Sequence, residues 1–485
     1  MAPSDGPAHG SGGANSRQAV AGEVTGERGL CLDRRSVLRA GVLGSSTAVA
    51  LAAGGPGGAA GDMASAADAA AATQPPFQLF AQSDLEFRTL ARLGSAGYGC
   101  SEVGEIVATV NRINAQGASY QAYYDNFLAM AGAVDALAGH ELAAGHKASA
   151  RSAYLRAASY YDLCLYFVLG TASRGREADA YAAMQRCWNH AAQLSDPPFE
   201  PVRIPYGRTW MPGYLLRPDT RPIRRPTVIL NNGQDSQSVA LYAFGGAAAI
   251  ERGYNALIVE GPGQGSMLFE REIPFRPDWE HVVTPVVDYL RSRPDVDRAR
   301  IAIIGWSLCG ELAIRAAAFE HRLAAVVADP GILSLWLAWP ASIRGLFANG
   351  ASRQQVNEIW RTDGIPKLDT VGRFTFAKDS EPFGGQFLLA ARAGRVAGDL
   401  YGLGTTLMQF SCARVAARVT APTLVTGYQD DQLVPSGQPG QVYALLRTKK
   451  QYYYFTAADG AQYHDAPMAP QTRNQVVFDW LDETL

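Results

Sequence analysis

Two hydrophobic periods divide the chain. From residue 77 to about residue 195 apolar positions recur at intervals of three and four, as in Val103, Ile106, Val107, Val110 and Ile113. That spacing predicts amphipathic helices. Residues 148–169 read as one long helix with an aromatic face of Tyr154, Tyr160, Tyr161, Tyr166 and Phe167. Such a stripe belongs in a core first, and lines a pocket only where the helix covers one. Asp196-Pro197-Pro198 ends the helical pattern. Beyond it, residues 202–204 and 211–216 predict a β-hairpin. Short apolar runs follow at 227–230, 255–259, 301–304, 324–328, 423–426 and 452–455, with helices between, including residues 239–252 and 311–319 and a final helix at 471–485. Apolar strands with Gly-rich exits, alternating with helices, predict an α/β fold with a mostly parallel sheet and helices on both faces. Ligand chemistry in such sheets gathers outside the carboxyl ends of the strands.

Residues 1–76 carry neither period and are rich in Ala, Gly and Ser. Within them Arg34-Arg35 precede an uncharged run from Val42 to Ala53, and Ala64-Ser65-Ala66 offers small residues for cleavage. The order of these features resembles a twin-arginine export signal. The run is too short to span a bilayer. The expected organisation is a signal and leader at 1–66, a linker at 67–76, a helical cap at 77–199 and a catalytic domain at 200–485. An excursion at about 332–411 is expected as a lid. Its aromatic residues, among them Trp339, Trp360 and Phe376, suit either packing or a pocket wall, and Arg344, Arg353 and Arg361 are expected in solvent.

Composition removes several classes. Of 485 residues, 47% are hydrophobic and 18% charged, enough for a large core. Lys plus Arg number 43 and Asp plus Glu 45, so the basic footprint of a nucleic-acid binder is missing. Six cysteines without a CxxC pair speak against a disulfide scaffold or Cys-rich zinc site. Loss of Cys31 with a signal leaves five, expected as buried thiols. His140, His146 and His190 lack metal-ligand spacing, and His281 and His321 read as structural. Gly261-Pro262-Gly263-Gln264-Gly265 lacks the Lys-Ser/Thr of a phosphate loop and reads as a tight turn.

Candidate chemistry sits at three strand ends. Gly305-Trp306-Ser307-Leu308-Cys309 follows a strand and opens a helix, the setting of a nucleophile elbow. A serine hydroxyl needs a base and an orienting acid. The chain supplies them in the order Ser, Asp, His, as α/β-hydrolases do. Asp431 stands four residues before Pro435, with Asp430 as its rival, and His464 is the only histidine downstream. The expected division is Ser307 as nucleophile, His464 as general base and acid, and Asp431 as its orienter. The oxyanion donors are expected to be the backbone N–H groups of Leu308 and Gln234.

Several motifs together resemble a known branch of the α/β-hydrolases. They are Arg156-Ala157-Ala158 with Tyr160-Tyr161, Asn232-Gly233-Gln234-Asp235-Ser236, Glu260 through Gly265, Gly305-Trp306-Ser307-Leu308, Asp329-Pro330-Gly331 and Asp479-Trp480-Leu481. The branch holds 2,6-dihydroxypseudooxynicotine hydrolase and fungal hydrolases that shorten polyketides, and is often labelled dipeptidyl aminopeptidase or acylaminoacyl peptidase-like. The resemblance covers roughly residues 77–485. It implies an α/β-hydrolase fold with an N-terminal helical cap, and acyl-enzyme cleavage of an ester or of a C–C bond next to a ketone. Two departures stand out. Cys309 replaces the family's Gly, and no Asp or Glu occurs between Gly331 and Asn357, where some C–C hydrolases place an extra acid.

The leading expectation is an exported serine hydrolase acting on a small apolar, aromatic or polyketide-like molecule. The alternatives are an aminopeptidase or acylaminoacyl peptidase-like hydrolase, and a non-hydrolytic enzyme or binding protein on the retained fold. The sequence displays no acidic pair or anion clamp for a peptide terminus. No metal or organic cofactor is implied. The expected partners are the small-molecule substrate, the twin-arginine translocase during export and a second copy of the chain in a homodimer; nucleic acid is not among them.

Overall fold

The computed structural model describes residues 77–485. The export signal, its cleavage site and the linker expected before residue 77 lie outside the described residues. Five helices come first: α1 (Ser83–Gly94), α2 (Val103–Ala115), α3 (Tyr120–Ala143), α4 (Lys147–Phe167) and α5 (Glu177–Gln193). α4 is the helix expected at 148–169. It is buried on nearly all sides, which is the position its Ala-rich, aromatic sequence requires. The rings of Tyr123, Phe127 and Phe167 close around one another beside it, with centroids 4.5 and 4.6 Å from that of Tyr123. α2 departs from expectation. Ile106, Val110 and Ile113 are buried, but Val103 and Val107 are exposed, so the buried stripe is narrower than the apolar spacing implied.

The sheet begins where the helical period stops. Its strands are β1 (Glu200–Tyr206), β2 (Thr209–Leu216), β3 (Arg225–Asn231), β4 (Asn255–Val259), β5 (Val296–Trp306), β6 (Ala325–Asp329), β7 (Thr423–Tyr428) and β8 (Lys450–Phe455). They lie in the order β1-β2-β4-β3-β5-β6-β7-β8. β1 and β2 form the expected antiparallel hairpin, β2 runs antiparallel to β4, and all later pairs are parallel. Each central strand is buried on both faces and divides its side chains by alternation. Val228, Leu230, Ala302 and Ile304 share a core with the five preceding helices. Ile229, Ile301 and Ile303 face the other way, toward α6 (Glu280–Ser292), α7 (Leu308–Ala317) and the excursion after β6.

That excursion is a chain of short helices, of which α8 (Thr370–Ser380) is the longest. Trp339, Trp360, Phe374, Phe376, Phe383 and Phe387 are all buried, so most of its aromatic content is packing. The helix expected at 239–252 contains a π-helical segment, Tyr242–Gly246. Gly245 lies under the Trp306 ring there, where a Cβ would come within 2.7 Å. The last helix, α9 (Pro470–Thr484), covers the sheet near its end. The five described cysteines are free and buried.

The joint between the first helices and the sheet is aromatic. Trp188 of α5 is fully buried, with Tyr214 of β2 edge-on at 5.5 Å, Phe199 at 5.9 Å and Tyr242 at 6.0 Å. Trp188→Ala should cost about 3–5 kcal/mol of stability, the usual penalty for emptying such a site. Chemical denaturation of the full chain measures it, and a loss under about 1 kcal/mol would show that the joint is not held there.

Candidate active site

The turn between β5 and α7 holds Ser307 at φ 51° and ψ −125°. A positive φ in a non-glycine residue is strained by about 1–3 kcal/mol and needs its surroundings to impose it. The surroundings do so by close approach. A Cβ at Gly305 would lie 2.0 Å from the Cys309 carbonyl oxygen, and one at Gly310 would lie 1.9 Å from that of Pro330. The Ser307 N–H donates to the Asp329 carbonyl at 2.8 Å, and Gly310 N–H donates back to the Ser307 carbonyl at 2.7 Å. Cys309 sits fully buried in the first turn of α7, where Gln264 Nε2 approaches its sulfur at 3.7 Å. The Cβ that Cys309 adds is thus accommodated in the core without opening the turn.

The structure brings the three expected side chains together. His464 Nε2 lies 2.9 Å from Ser307 Oγ, and His464 Nδ1 lies 3.0 Å from both carboxylate oxygens of Asp431. Asp431 Oδ1 also accepts from the N–H groups of Leu433 and Val434, at 2.9 and 2.8 Å. Its rival Asp430 is exposed. His281 stands beside Asp278, and His321 reaches the Ala318 carbonyl, so neither joins this group.

Carboxylates set the charge on the imidazole. Burial opposes its protonation, but Asp431, then Asp465, with Asp329 behind them, outweigh burial and push His464 up to about 9. Asp465 Oδ2 lies 3.5 Å from His464 Nε2, on the side that faces the serine. The backbone of Asp465 is itself left-handed, at φ 60°. Burial raises its own carboxyl above the ordinary range, while the neighbouring imidazole pulls it down.

The loop after β3 passes directly against the serine. A Cβ on Gly233 would lie 2.8 Å from Ser307 Cβ and 2.9 Å from the Trp306 carbonyl oxygen, so only glycine fits. Gln234 and Leu308 line the same cavity as Ser307. Gln264, from the glycine-rich turn after β4, braces this loop: its side-chain amide donates to the carbonyls of Asn232 and Gly233, the latter at 3.3 Å. Its Oε1 accepts from Gly261 N–H at 2.8 Å, which closes the turn. The segment is the tight turn its glycines predict, and the support its glutamine gives the neighbouring loop leaves no mark in the sequence.

A cavity of about 480 Å³ opens on Ser307, with apolar walls from Phe87, Ile332, Leu335 and Trp339. Phe87 of α1 also approaches the His464 ring, with centroids 6.4 Å apart. Arg88, the next residue, pairs with Asp235 of the β3 loop at 2.7 Å and lies 3.9 Å over the Tyr166 ring. Asp379 of α8 lines the cavity as well. These residues escaped the sequence reading. Asp235 lay in a quoted motif, but nothing in the helical period of α1 or α8 distinguishes Arg88 or Asp379 from surface charges.

Comparison with known proteins agrees with this architecture. A family model described as esterase FrsA-like matches residues 134–359. Hydrolase LUC6 of Fusarium sp is 30% identical over 434 residues, which cover 84% of this chain and 98% of that protein. The 20-hydroxy-prefusarin hydrolase FUS2 of Gibberella moniliformis is 28% identical, with 84% and 98% covered. The crystal structure of 2,6-dihydroxy-pseudo-oxynicotine hydrolase shares the fold, with a TM-score of 0.59 and 20% identity over 81% of this chain and 95% of that one. Residues 134–359 are thus similar to the FrsA-like esterases, and the chain as a whole has the α/β-hydrolase fold and belongs to the same family of hydrolases as LUC6.

Proposed function

We propose that the chain is a serine hydrolase that cleaves an ester, or a C–C bond next to a ketone, in a small and largely apolar molecule. The observation that carries this reading is the unbroken chain from Ser307 Oγ through His464 to Asp431, with contacts of 2.9 and 3.0 Å. In the first step His464 takes the hydroxyl proton as Ser307 attacks the carbonyl carbon. Asp431 holds the imidazole with Nε2 toward the serine and stabilises the imidazolium. The Leu308 and Gln234 N–H groups are the donors for the oxyanion, Leu308 at the positive end of α7. Collapse of the tetrahedral species expels the leaving group, which takes the proton from His464. Water, deprotonated by the same imidazole, then releases the acyl group.

The apolar cavity walls support a substrate of low polarity. Two relatives are named for 20-hydroxy-prefusarin and 2,6-dihydroxy-pseudo-oxynicotine, and only their common class, a small organic molecule, is carried over. An ester leaves as an alcohol and makes modest demands on the acid. A C–C bond leaves as a carbanion and needs both electron withdrawal and a proton. The stretch from Ile332 to Trp339, which lines the cavity after β6, carries no acid, and His464, 2.9 Å from Ser307 Oγ, is the group assigned as donor in either case.

A fluorophosphonate probe should label Ser307 of the mature chain, and Ser307→Ala and His464→Ala should each lower turnover by about 10⁴-fold or more with the fold intact. Turnover is measured on aryl esters, aminoacyl amides and β-diketones in parallel; near-normal rates in either variant would mean a different mechanism. Asp465→Asn addresses the base separately. It removes a carboxylate that favours the imidazolium, so the midpoint of labelling rate against pH should fall by about 1 unit and labelling at pH 7 should speed up. An unchanged or rising midpoint would show that Asp465 does not act on His464. We further propose export through the twin-arginine route. Replacing Arg34 and Arg35 with Lys should hold the protein in the cytoplasm, and undiminished secretion would refute that.

A further inference from the structure

The cavity beside Ser307 is unevenly charged. Four carboxyls line it, those of Asp84, Asp235, Asp369 and Asp379, against the single guanidinium of Arg88. Most of this acidity is answered within the protein. Asp84 accepts from the Tyr120 hydroxyl at 2.5 Å and from Leu85 N–H at 2.9 Å. Asp369 caps α8 by accepting from Gly372 N–H at 2.7 Å. Asp235 takes Arg88 on Oδ2 at 2.7 Å.

Two acceptors are left over. Asp235 Oδ1 is buried without a hydrogen-bond partner among the described residues. The Asp379 carboxylate makes no hydrogen bond or ion pair among the described residues; only its carbonyl oxygen is engaged, by Gln234 Nε2 at 3.3 Å. That contact seats Asp379 against the loop that carries Asp235 and touches Ser307 through Gly233. Burial, and behind it the charge of Asp235, push Asp379 up to about 8, against Arg88 and Lys378. Neither cation is free to neutralise it. Arg88 is held by Asp235 and the Tyr166 ring, and Lys378 Nζ is held by Glu381 at 2.5 Å. A half-buried carboxyl with no partner among the described residues gives up part of its hydration without recompense, and that cost falls when a cation arrives. Trp339 in the same wall adds an aromatic ring of the kind that attracts ammonium groups.

We propose that this wall is an ammonium subsite: the substrate carries a protonated amine that lies against Asp379 and the free oxygen of Asp235 while its carbonyl faces Ser307. The inference rests on the reading of Ser307 as the nucleophile of this cavity, and it narrows that reading to amine-bearing substrates. It also supplies the acidic pair that no spacing in the sequence displays, because its members lie 144 positions apart and meet only in the fold.

The test uses the full chain with two probes of equal length, n-pentylammonium and 1-pentanol. Pentylammonium should slow fluorophosphonate labelling of Ser307 about ten-fold more than pentanol at the same concentration, and should raise the melting temperature where pentanol does not. In Asp379→Asn the two probes should become equivalent. That variant removes an unpaired, half-buried charge, so it is expected to fold and to melt at or above the parent at pH 8. Equal effects of the two probes on the parent, or a preference for ammonium that survives in Asp379→Asn, would overturn the subsite. Absence of labelling at Ser307 would instead strike the hydrolase reading, and the melting shift would still decide the subsite.

Discussion

The whole arrangement depends on one backbone conformation, the left-handed turn at Ser307. A strained residue of this kind persists only when its neighbours leave no alternative. Here three glycines let main chain pack where a side chain would collide: Gly305 against Cys309, Gly310 against Pro330 and Gly233 against Ser307 itself. The hydrogen bond from Ser307 N–H to the Asp329 carbonyl ties the turn to the end of β6. β5 and β6 are buried, parallel neighbours, so the turn inherits the rigidity of the sheet centre. The strain thus serves position. It holds the hydroxyl at the end of β5, in a cavity that Leu308 and Gln234 also line.

A second constraint is charge. His464 is surrounded by Asp431, Asp465 and, more distantly, Asp329, and the three act in the same direction on the imidazole. Asp329 is itself deeply buried and accepts from the hydroxyls of Thr426, at 2.5 Å, and Tyr428. The fully buried Arg473 lies 3.6 Å from it and donates to the Asp465 carbonyl at 3.1 Å. Removing one member of such a buried group leaves an unpaired charge behind, which costs more than the pair contributes. Proton affinity at His464 is therefore set by a network that reaches from α9 through β6 and β7, and not by Asp431 alone.

Much of this was legible in the chain. The two periods located the helical layer and the sheet, because alternation and the spacing of three and four are local properties. Ser307, Asp431 and His464 were legible because each stands at a strand exit with a recognisable neighbourhood: small residues at the elbow, Pro435 after the acid, and no competing histidine downstream. Other features were not. Val103 and Val107 look like core by spacing, yet are exposed, because no described residue covers that flank of α2. The π-helical segment at Tyr242–Gly246 places Gly245 under the Trp306 ring, a tertiary contact that no local period announces. The support given by Gln264 to the β3 loop crosses between two strand exits, and no linear pattern records it.

The division between legible and illegible residues has a physical cause that bears on specificity. Ser307, Gln234, Asp431 and His464 sit on turns and loops whose geometry is demanding, and demanding geometry leaves sequence signatures. The groups that form the cavity wall, Phe87 and Arg88 on α1, Tyr166 on α4 and Asp379 on α8, sit on ordinary helices. A helix accepts nearly any side chain at a given position, so the wall is free to change while the turns are not. Shared motifs therefore fix a reaction class more tightly than a substrate, and relatives at 30% identity over the same length need not share the acidic wall. On the proposed reading, selection among substrates falls to the charge balance of that wall, where the Asp379 carboxyl has no hydrogen-bond or ion-pair partner among the described residues and lines the same cavity as Ser307.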